Sequence, residues 1–151
     1  MFRGVSTLSL DPKGRLAMPA RYREQLQNCC ASHLVVTIDP DRCLLIYPEP
    51  NWKEIERKLE KLPSFNPTAR KLQRLYIGHA HDVDMDAQGR LQLPTELRQF
   101  ANLDKRVALV GQSNKFELWD EDIWVARRDQ WLNEEDLAQL ESSPEFASLS
   151  I

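Results

Sequence analysis

Two stretches of the chain place an aspartate and an arginine four residues apart around a glycine, at Asp11–Arg15 and at Asp86–Arg90. An arginine guanidinium is a planar fork that can donate to the O6 and N7 atoms of guanine together. A carboxylate beside the fork can fix its orientation and so preorganise it. These residue types at this spacing therefore point to two sites that could recognise nucleic acid.

The two stretches are copies of one motif. Residues 11–23 (the first copy) and 86–98 (the second copy) share six identities in thirteen positions. The shared pattern is Asp-x-x-Gly-Arg-Leu-x-(Met or Leu)-Pro, followed four positions later by a common arginine. We call residues 11–15 the first turn and residues 86–90 the second turn.

Different roles are predicted for the residues of the motif. Arg15 and Arg90 are expected to contact DNA bases, whereas Lys13 at a turn tip suits phosphate, which positions a protein without specifying sequence. Gln88 replaces Lys13 in the second copy and is likewise predicted to contact DNA. The other predicted site residues are Arg3, for DNA contact from the adjoining strand, and Asp11, Gly14, Asp86 and Gly89, for shaping each turn and orienting its arginine. In a purely structural alternative, each Asp–Arg pair only fastens its own hairpin.

Charge distinguishes the two copies. The first copy carries Lys13, Arg15, Arg21 and Arg23 against Asp11, a balance of +3, and the second copy carries Arg90 and Arg98 against Asp86 and Glu96, a balance of zero. The whole chain has a net charge of −3, but local potential rather than net charge governs encounter with DNA. We therefore expect the first copy to dominate in DNA binding.

Other chemistry has less support in the sequence. His79 and His81 lie on one face of a predicted strand and could hold zinc, but a polar strand at a rim or subunit interface is favoured. Neither a Ser–His–Asp or Cys–His pattern nor a phosphate-binding glycine loop is present, so we expect no enzyme activity, cofactor or metal.

Aromatic and thiol side chains also favour structural roles. The four tryptophans could stack on single-stranded nucleic acid, but their core-like spacing favours the core or a subunit interface. The cysteines lack zinc or disulfide spacing and are expected to be reduced, half-buried apolar residues. They are Cys29, Cys30 and Cys43.

The elements that must position the turns follow from hydrophobic periodicity. Alternation at period two predicts strands before and after each turn, and Pro19 and Pro94 then open short helices. Further strands and amphipathic helices complete each half. The predicted ranges are strands at 4–11, 34–38, 43–47, 79–86, 106–110 and 115–119, and helices at 50–62, 66–77 and 120–132.

The chain therefore reads as a tandem duplication of the α+β class, rich in β-strand. Its predicted parts are a first half (1–62), a helical linker (63–78), a second half (79–132) and an acidic C-terminal helix or tail (133–151). Two sheets this small bury little apolar surface separately. We therefore expect the halves to interleave their strands into one pseudo-twofold β-barrel with flanking helices.

The composition of the chain bears on where in the cell the protein is expected. The chain is 42% hydrophobic and 28% charged, which is ordinary for a soluble globular protein. No apolar run approaches the roughly 20 residues that a membrane helix requires. The first residues lack the apolar segment of a signal peptide, so we expect a cytoplasmic protein without a membrane partner.

Three features together resemble the MraZ family of bacterial transcriptional regulators: the start MFRG, the two motif copies, and the stretch GQSNKFELWDE at 111–121. The resemblance implies two AbrB-like swapped-hairpin halves in one chain and a ring-shaped homo-oligomer. It also implies binding to short guanine-rich direct repeats in double-stranded DNA. The family's expected role is that of a nucleoid-associated repressor of the division and cell-wall gene cluster, which includes its own gene.

An antitoxin-like module is the alternative. Such proteins join an AbrB-like hairpin to a tail that wraps a protein partner, and the acidic C-terminus would suit this role. Two hairpins joined in one chain argue against it, because antitoxin-like modules usually obtain the second hairpin from a second chain.

Overall fold

Strands and helices alternate along the chain in the computed structural model, which describes residues 1–134, 137 and 143–149. The strands are β1 (Phe2–Ser9), β2 (Arg15–Ala17), β3 (His33–Ile38), β4 (Leu44–Pro48), β5 (His81–Asp84), β6 (Arg90–Gln92), β7 (Arg106–Ser113) and β8 (Phe116–Asp120). The α-helices are α1 (Ala20–Cys30), α2 (Glu49–Glu60), α3 (Pro67–Leu72), α4 (Thr95–Phe100) and α5 (Glu121–Asn133). A π-helical turn, Gln73–Ile77, follows α3 directly.

These elements match the periodicity of the sequence closely. Pro19 and Pro94 are the residues immediately before α1 and α4, with φ values of −53° and −58°. The linker helix begins after Asn66, whose side chain accepts hydrogen bonds from the next free amides, and the π-helical turn ends at Gly78. Helical structure therefore covers nearly all of the stretch predicted at 66–77, and its second part is π-helical.

Six strands form one antiparallel sheet in the order β1-β7-β8-β4-β3-β5, and β2 pairs with β6 in a separate two-stranded sheet. We call this pair the ribbon. Pairs β1–β7, β4–β8, β3–β5 and β2–β6 each join one half of the chain to the other. The predicted interleaving of the halves is therefore confirmed.

The strand order also has the expected twofold character. If β1–β4 are exchanged with β5–β8, the order of the sheet reads the same from its other end. The six-stranded sheet is open, however, with β1 and β5 at its edges. An isolated bridge between Leu10 and Leu16 connects the ribbon to the end of β1. This open arrangement does not confirm the predicted barrel.

The main core lies between the ribbon and the sheet. Leu16 and Leu91 of the ribbon are fully buried in it, together with Met18 and Leu93 just beyond. Burial of a leucine side chain contributes about 1.5–3 kcal/mol, so the inner face of the ribbon anchors it firmly. A second cluster of buried residues on α2, β3 and β4 includes Trp52.

The chain divides into two compact units, Met1–Glu121 and Asp122–Ile151. The first unit contains both motif copies and the whole sheet. In the second unit, Trp124 and Trp131 of α5 pack edge to face with ring centroids 6.0 Å apart. The acidic segment predicted at 133–151 lies partly outside the described residues. No helix among the described residues is long and apolar enough to span a membrane.

Candidate nucleic-acid interface

The first turn is closed by the side chain of Asp11. One carboxylate oxygen accepts hydrogen bonds from the backbone amides of Lys13 (3.0 Å) and Arg15 (2.8 Å). The other oxygen lies 2.6 Å from Arg15 Nε. The Gly14 amide donates to the Asp11 carbonyl oxygen at 2.9 Å. Asp11 therefore shapes the backbone and fixes the direction of the arginine at the same time.

The second turn repeats these contacts. Asp86 accepts from the amides of Gln88 and Arg90, both at 2.9 Å, and its other oxygen lies 2.9 Å from Arg90 Nε. One difference concerns the guanidinium, because Arg90 Nη2 also donates to the side-chain oxygen of Gln88 at 3.3 Å. A lysine at the same place in the first copy cannot accept such a bond.

Both aspartates are held as carboxylates. In each turn the hydrogen bond from the arginine's backbone amide is the largest cause that lowers the pKa of the aspartate. The hydrogen bond and charge of the same arginine's guanidinium lower the pKa further. A carboxylate that stays ionised keeps the arginine oriented throughout the neutral pH range.

Successive side chains of the ribbon point to opposite faces, as in any β-strand. The paired residues are Arg15 with Gln92, Leu16 with Leu91, and Ala17 with Arg90. Because Leu16 and Leu91 face the core, the other two pairs lie together on the outer face. The side chains of Arg15 and Arg90 are 28% and 32% exposed. The fold thus brings both predicted base-reading arginines onto one surface.

Arg15 and Arg90 are diagonal neighbours on the paired strands β2 and β6. Such neighbours lie about 7–8 Å apart. Gln92, on the same outer face, donates from its side-chain amide to the Lys13 carbonyl oxygen at 2.8 Å. This bond joins the tip of the first turn to the strand that carries Arg90. The two turns therefore belong to one connected surface.

The first turn is held from the second half of the chain by Arg98 of α4. Gly14 has a φ of +77°, and a Cβ atom there would lie 2.3 Å from Arg98 Cζ. Arg98 Nε donates to the Leu93 carbonyl oxygen at 3.1 Å, and its Nη2 to Thr95 Oγ1 at 2.9 Å. The Leu93 amide donates to the Gly14 carbonyl oxygen at 3.2 Å. Glycine is needed here both for its backbone conformation and for space.

The second turn is held in the same way from the first half. Gly89 also has a φ of +77°, and a Cβ atom there would lie 2.4 Å from Arg23 Nε. Arg23 Nε donates to the Met18 carbonyl oxygen at 2.7 Å, and the Met18 amide donates to the Gly89 carbonyl oxygen at 2.8 Å. We call the contacts Arg98–Gly14 and Arg23–Gly89 the crossed clamps.

The crossed clamps were missed by the sequence analysis, which counted Arg23 and Arg98 only as charges. Their identity in both copies was the available signal, because a residue repeated at the same position often repeats a structural task. The partner of each arginine could not be inferred, since it lies in the other half of the chain.

Arg3 is not brought onto the ribbon. It lies near the start of β1, in register with Gln112, whereas Leu10, beyond the other end of β1, bridges to the ribbon. Seven residues of strand span about 23 Å. The Arg3 carbonyl oxygen accepts a hydrogen bond from the Tyr22 hydroxyl. Its exposed side chain is therefore distant along the strand from Arg15.

The histidine pair has local partners. His79 Nδ1 lies 2.9 Å from the Leu75 carbonyl oxygen, and His81 Nδ1 lies 2.9 Å from the His79 carbonyl oxygen. Within the described part of the chain, no group of three or more histidine, cysteine or acidic side chains is arranged to hold a metal ion.

The cysteines are free thiols in three different environments. Cys29 is exposed, Cys30 is half-buried and Cys43 is buried. Only the second environment matches the predicted half-burial. Burial raises the pKa of Cys30 to about 12 and also raises the pKa of Cys43.

The fold and the interface define a duplicated, strand-interleaved protein that presents two oriented arginines on one ribbon. The family model described as "MraZ protein, putative antitoxin-like" matches residues 1–75 and 76–143, one match for each copy of the motif. The chain belongs to the MraZ family.

Relatives within the family cover the whole chain. The transcriptional regulator MraZ of Thioalkalivibrio sulfidiphilus is 55% identical over 151 residues, which is all of both chains. That of Methylococcus capsulatus is 52% identical over 151 residues, 99% of each chain. That of Nitrosospira multiformis is 61% identical over 124 residues, 82% of this chain and 84% of its own. These relatives are named as transcriptional regulators, a class that is not normally enzymatic.

Proposed function

We propose that the protein is a sequence-specific, DNA-binding transcriptional regulator that reads guanine-rich DNA with its ribbon. The observation that carries this proposal is the outer face of β2 and β6, where Arg15 and Arg90 lie together and each is oriented by an aspartate. The names of its relatives support the broader class, a transcriptional regulator.

The major groove of B-DNA is about 12 Å wide and admits a two-stranded β-ribbon. In each arginine the aspartate accepts the hydrogen bond from Nε, which leaves the terminal nitrogens outside that contact. Arg15 Nη1 and Nη2 donate to no other residue that the structure describes. They are available to guanine O6 and N7, a contact that contributes about 1–3 kcal/mol of discrimination.

The first copy is proposed to contribute more than the second. Arg90 Nη2 already donates one hydrogen bond to Gln88, so Arg90 has fewer free donors for a base than Arg15 has. Lys13, at the equivalent turn position, adds a positive charge instead. The structural alternative, in which the Asp–Arg pairs only fasten the hairpins, is compatible with the same contacts, because an orienting carboxylate can do both.

Assembly extends this mechanism. A single small ribbon offers few contacts, but several copies that bind spaced direct repeats gain about 10²–10⁴ in avidity. Direct repeats suit head-to-tail contacts between subunits, and such contacts can close into a ring. We propose a homo-oligomeric ring of AbrB-like halves that covers a promoter as a repressor. Its proposed target is the division and cell-wall cluster, and its proposed location is the cytoplasm, on the nucleoid.

The test compares binding to a duplex of guanine-rich direct repeats with binding to a scrambled duplex of equal composition. Arg15→Ala should lose about 5- to 150-fold in preference for the repeats, the equivalent of 1–3 kcal/mol. Arg90→Ala should lose less. Lys71→Ala, which removes an exposed cation from α3, is the matched control and should keep the preference. Equal binding of wild type to both duplexes would refute the proposal.

An antitoxin-like role is the second candidate, because the family description itself contains that term. Truncation after residue 132 separates the two functions. A regulator should retain repeat binding, whereas an antitoxin-like module should lose a specific protein partner.

A further inference from the structure

We propose that a basic groove beside the first turn holds a backbone phosphate and thereby makes the protein bind DNA in one orientation. This inference rests on the proposed function and adds Lys105 to the residues that contact DNA. The groove is a cavity of about 500 Å³ between the first turn and the residues around the start of β7. Its charged lining residues are Asp11, Arg98, Asp104, Lys105 and Arg106.

Lys105 is the cation in the groove best suited to phosphate. Its backbone is fixed, because its carbonyl oxygen accepts a hydrogen bond from the Leu10 amide at 2.8 Å. Lys105 is exposed, and its ammonium group makes no hydrogen bond or ion pair with the described residues. A lysine on a rigid backbone, with its charge in solvent, positions a phosphate at little structural cost.

The other two cations of the groove are already engaged. Arg106 donates to Glu121 at 3.0 Å and to Ser9 Oγ at 3.3 Å, although its side chain stays 59% exposed. Arg98 packs on Gly14 as one of the crossed clamps. These two arginines add positive potential to the groove, while Lys105 remains to make the direct contact.

The second turn has an equivalent cavity of about 410 Å³, with a different charge. Ser32 occupies the place of Lys105, because its carbonyl oxygen accepts from the Met85 amide at 3.0 Å. The charged lining residues of this cavity are Arg23, Glu24 and Asp86, a balance of one negative charge. The backbone is repeated around both turns, but the exposed lysine at this position is present only beside the first turn.

The position of Arg106 is likewise changed in the second half. His33 takes that place and pairs in register with Asp84, as Arg106 pairs with Ser9. His33 Nδ1 lies 2.8 Å from the Asp84 carboxylate. The second half therefore has a histidine and an aspartate where the first has an arginine and a serine, so this position adds no net positive charge beside the second turn.

This asymmetry has a consequence for direct repeats. A ribbon with true twofold symmetry would bind a short DNA box equally well in both orientations. A phosphate held beside only the first turn favours one orientation, so that every subunit on a series of direct repeats would point the same way. Such uniform polarity is what a head-to-tail assembly requires.

The first experiment measures the salt dependence of binding for wild type, Lys105→Ser and the control Lys71→Ser. The slope of log K against log salt is negative, and each lost phosphate contact makes it less steep by about 0.9. Between 50 and 200 mM salt, wild type should therefore lose about 3.5-fold more affinity than Lys105→Ser. Lys71→Ser should match wild type. An unchanged slope in Lys105→Ser would overturn the proposed contact.

The second experiment tests polarity with duplexes in which one phosphate at a time is replaced by a neutral methylphosphonate. Neutralising a phosphate on one side of the guanine should weaken wild type, and Lys105→Ser should show no further loss at that position. Equal losses on both sides would overturn the orientation effect. The salt slope can also be measured on the scrambled duplex, where base recognition plays no part. If the proposed function failed, wild type would bind the repeats and the scrambled duplex equally, but the effect of Lys105→Ser on the slope would remain.

Discussion

The crossed clamps predict a specific energetic coupling between Gly14 and Arg98, two residues 84 positions apart in the chain. In Gly14→Ala, the new Cβ would lie 2.3 Å from Arg98 Cζ and 2.4 Å from Nη1. The guanidinium must therefore move. Its bonds to Leu93 and Thr95 would be lost, because both depend on the present position of the guanidinium.

The size of the effect follows from three contributions. A left-handed backbone costs an alanine about 1–2 kcal/mol. Two lost hydrogen bonds cost about 0.5–1.5 kcal/mol each. Replacement of glycine restricts the unfolded chain and returns about 0.4–1 kcal/mol. The free energy of unfolding should therefore fall by about 1–4.5 kcal/mol, a large part of the 5–15 kcal/mol of an ordinary domain.

A double-mutant cycle isolates the contact. Urea unfolding followed by tryptophan fluorescence is measured for wild type, Gly14→Ala, Arg98→Ala and the double variant. Because the bonds of Arg98 can be lost only once, the double variant should be less destabilised than the sum of the single changes, by about 1–3 kcal/mol. The same cycle at Gly89 and Arg23 should give the same sign. Additivity within about 0.5 kcal/mol would refute the clamp.

Three further predictions concern other parts of the fold. Asp84 raises the pKa of His33 through a hydrogen bond and its charge, so this pair should stabilise the fold below about pH 6.5 and lose that effect as pH rises through the folded pKa. Urea unfolding of wild type and Asp84→Asn should therefore differ more at pH 5 than at pH 9, and an equal difference would contradict the pairing. Trp52→Ala should lower the free energy of unfolding by about 3–5 kcal/mol, because Trp52 is only 4% exposed; a loss below 1 kcal/mol in the same assay would show that the site is not tightly packed. A thiol reagent at pH 8 should label Cys29 in the folded protein and Cys43 only after unfolding, as mass spectrometry of the labelled peptides would show, whereas equal rates would contradict the burial of Cys43.

Much of the fold could be predicted from local patterns. The runs at 34–38 and 43–47 are rich in β-branched and apolar residues and form β3 and β4 within one residue of the predicted bounds. The helix expected at 66–77 was predicted only as a helix, and its π-helical part was not foreseen. Hydrophobic periodicity over so few residues does not distinguish α-helical from π-helical turns. Interleaving of the halves followed from the small core that each half could form alone, and it is confirmed by the strand order.

The candidate interface was predictable only in part. The spacing of Asp11 and Arg15 suggested an oriented arginine because the two residues are local to one turn. Arg3 was expected beside them, but the length of β1 separates it from the ribbon. Lys105 carried no signal, since it lies outside both motif copies.

The sequence by itself determined the two turns, the strands and helices around them, and the assignment to a family, because these depend on neighbouring residues and on a pattern written twice. The tertiary structure alone decided which residues meet across the halves. Arg98 lies on Gly14, and Lys105 lies beside the first turn, because β1 pairs with β7 and β2 pairs with β6. Such pairings join distant parts of the chain through burial of a shared core, and no local pattern specifies them.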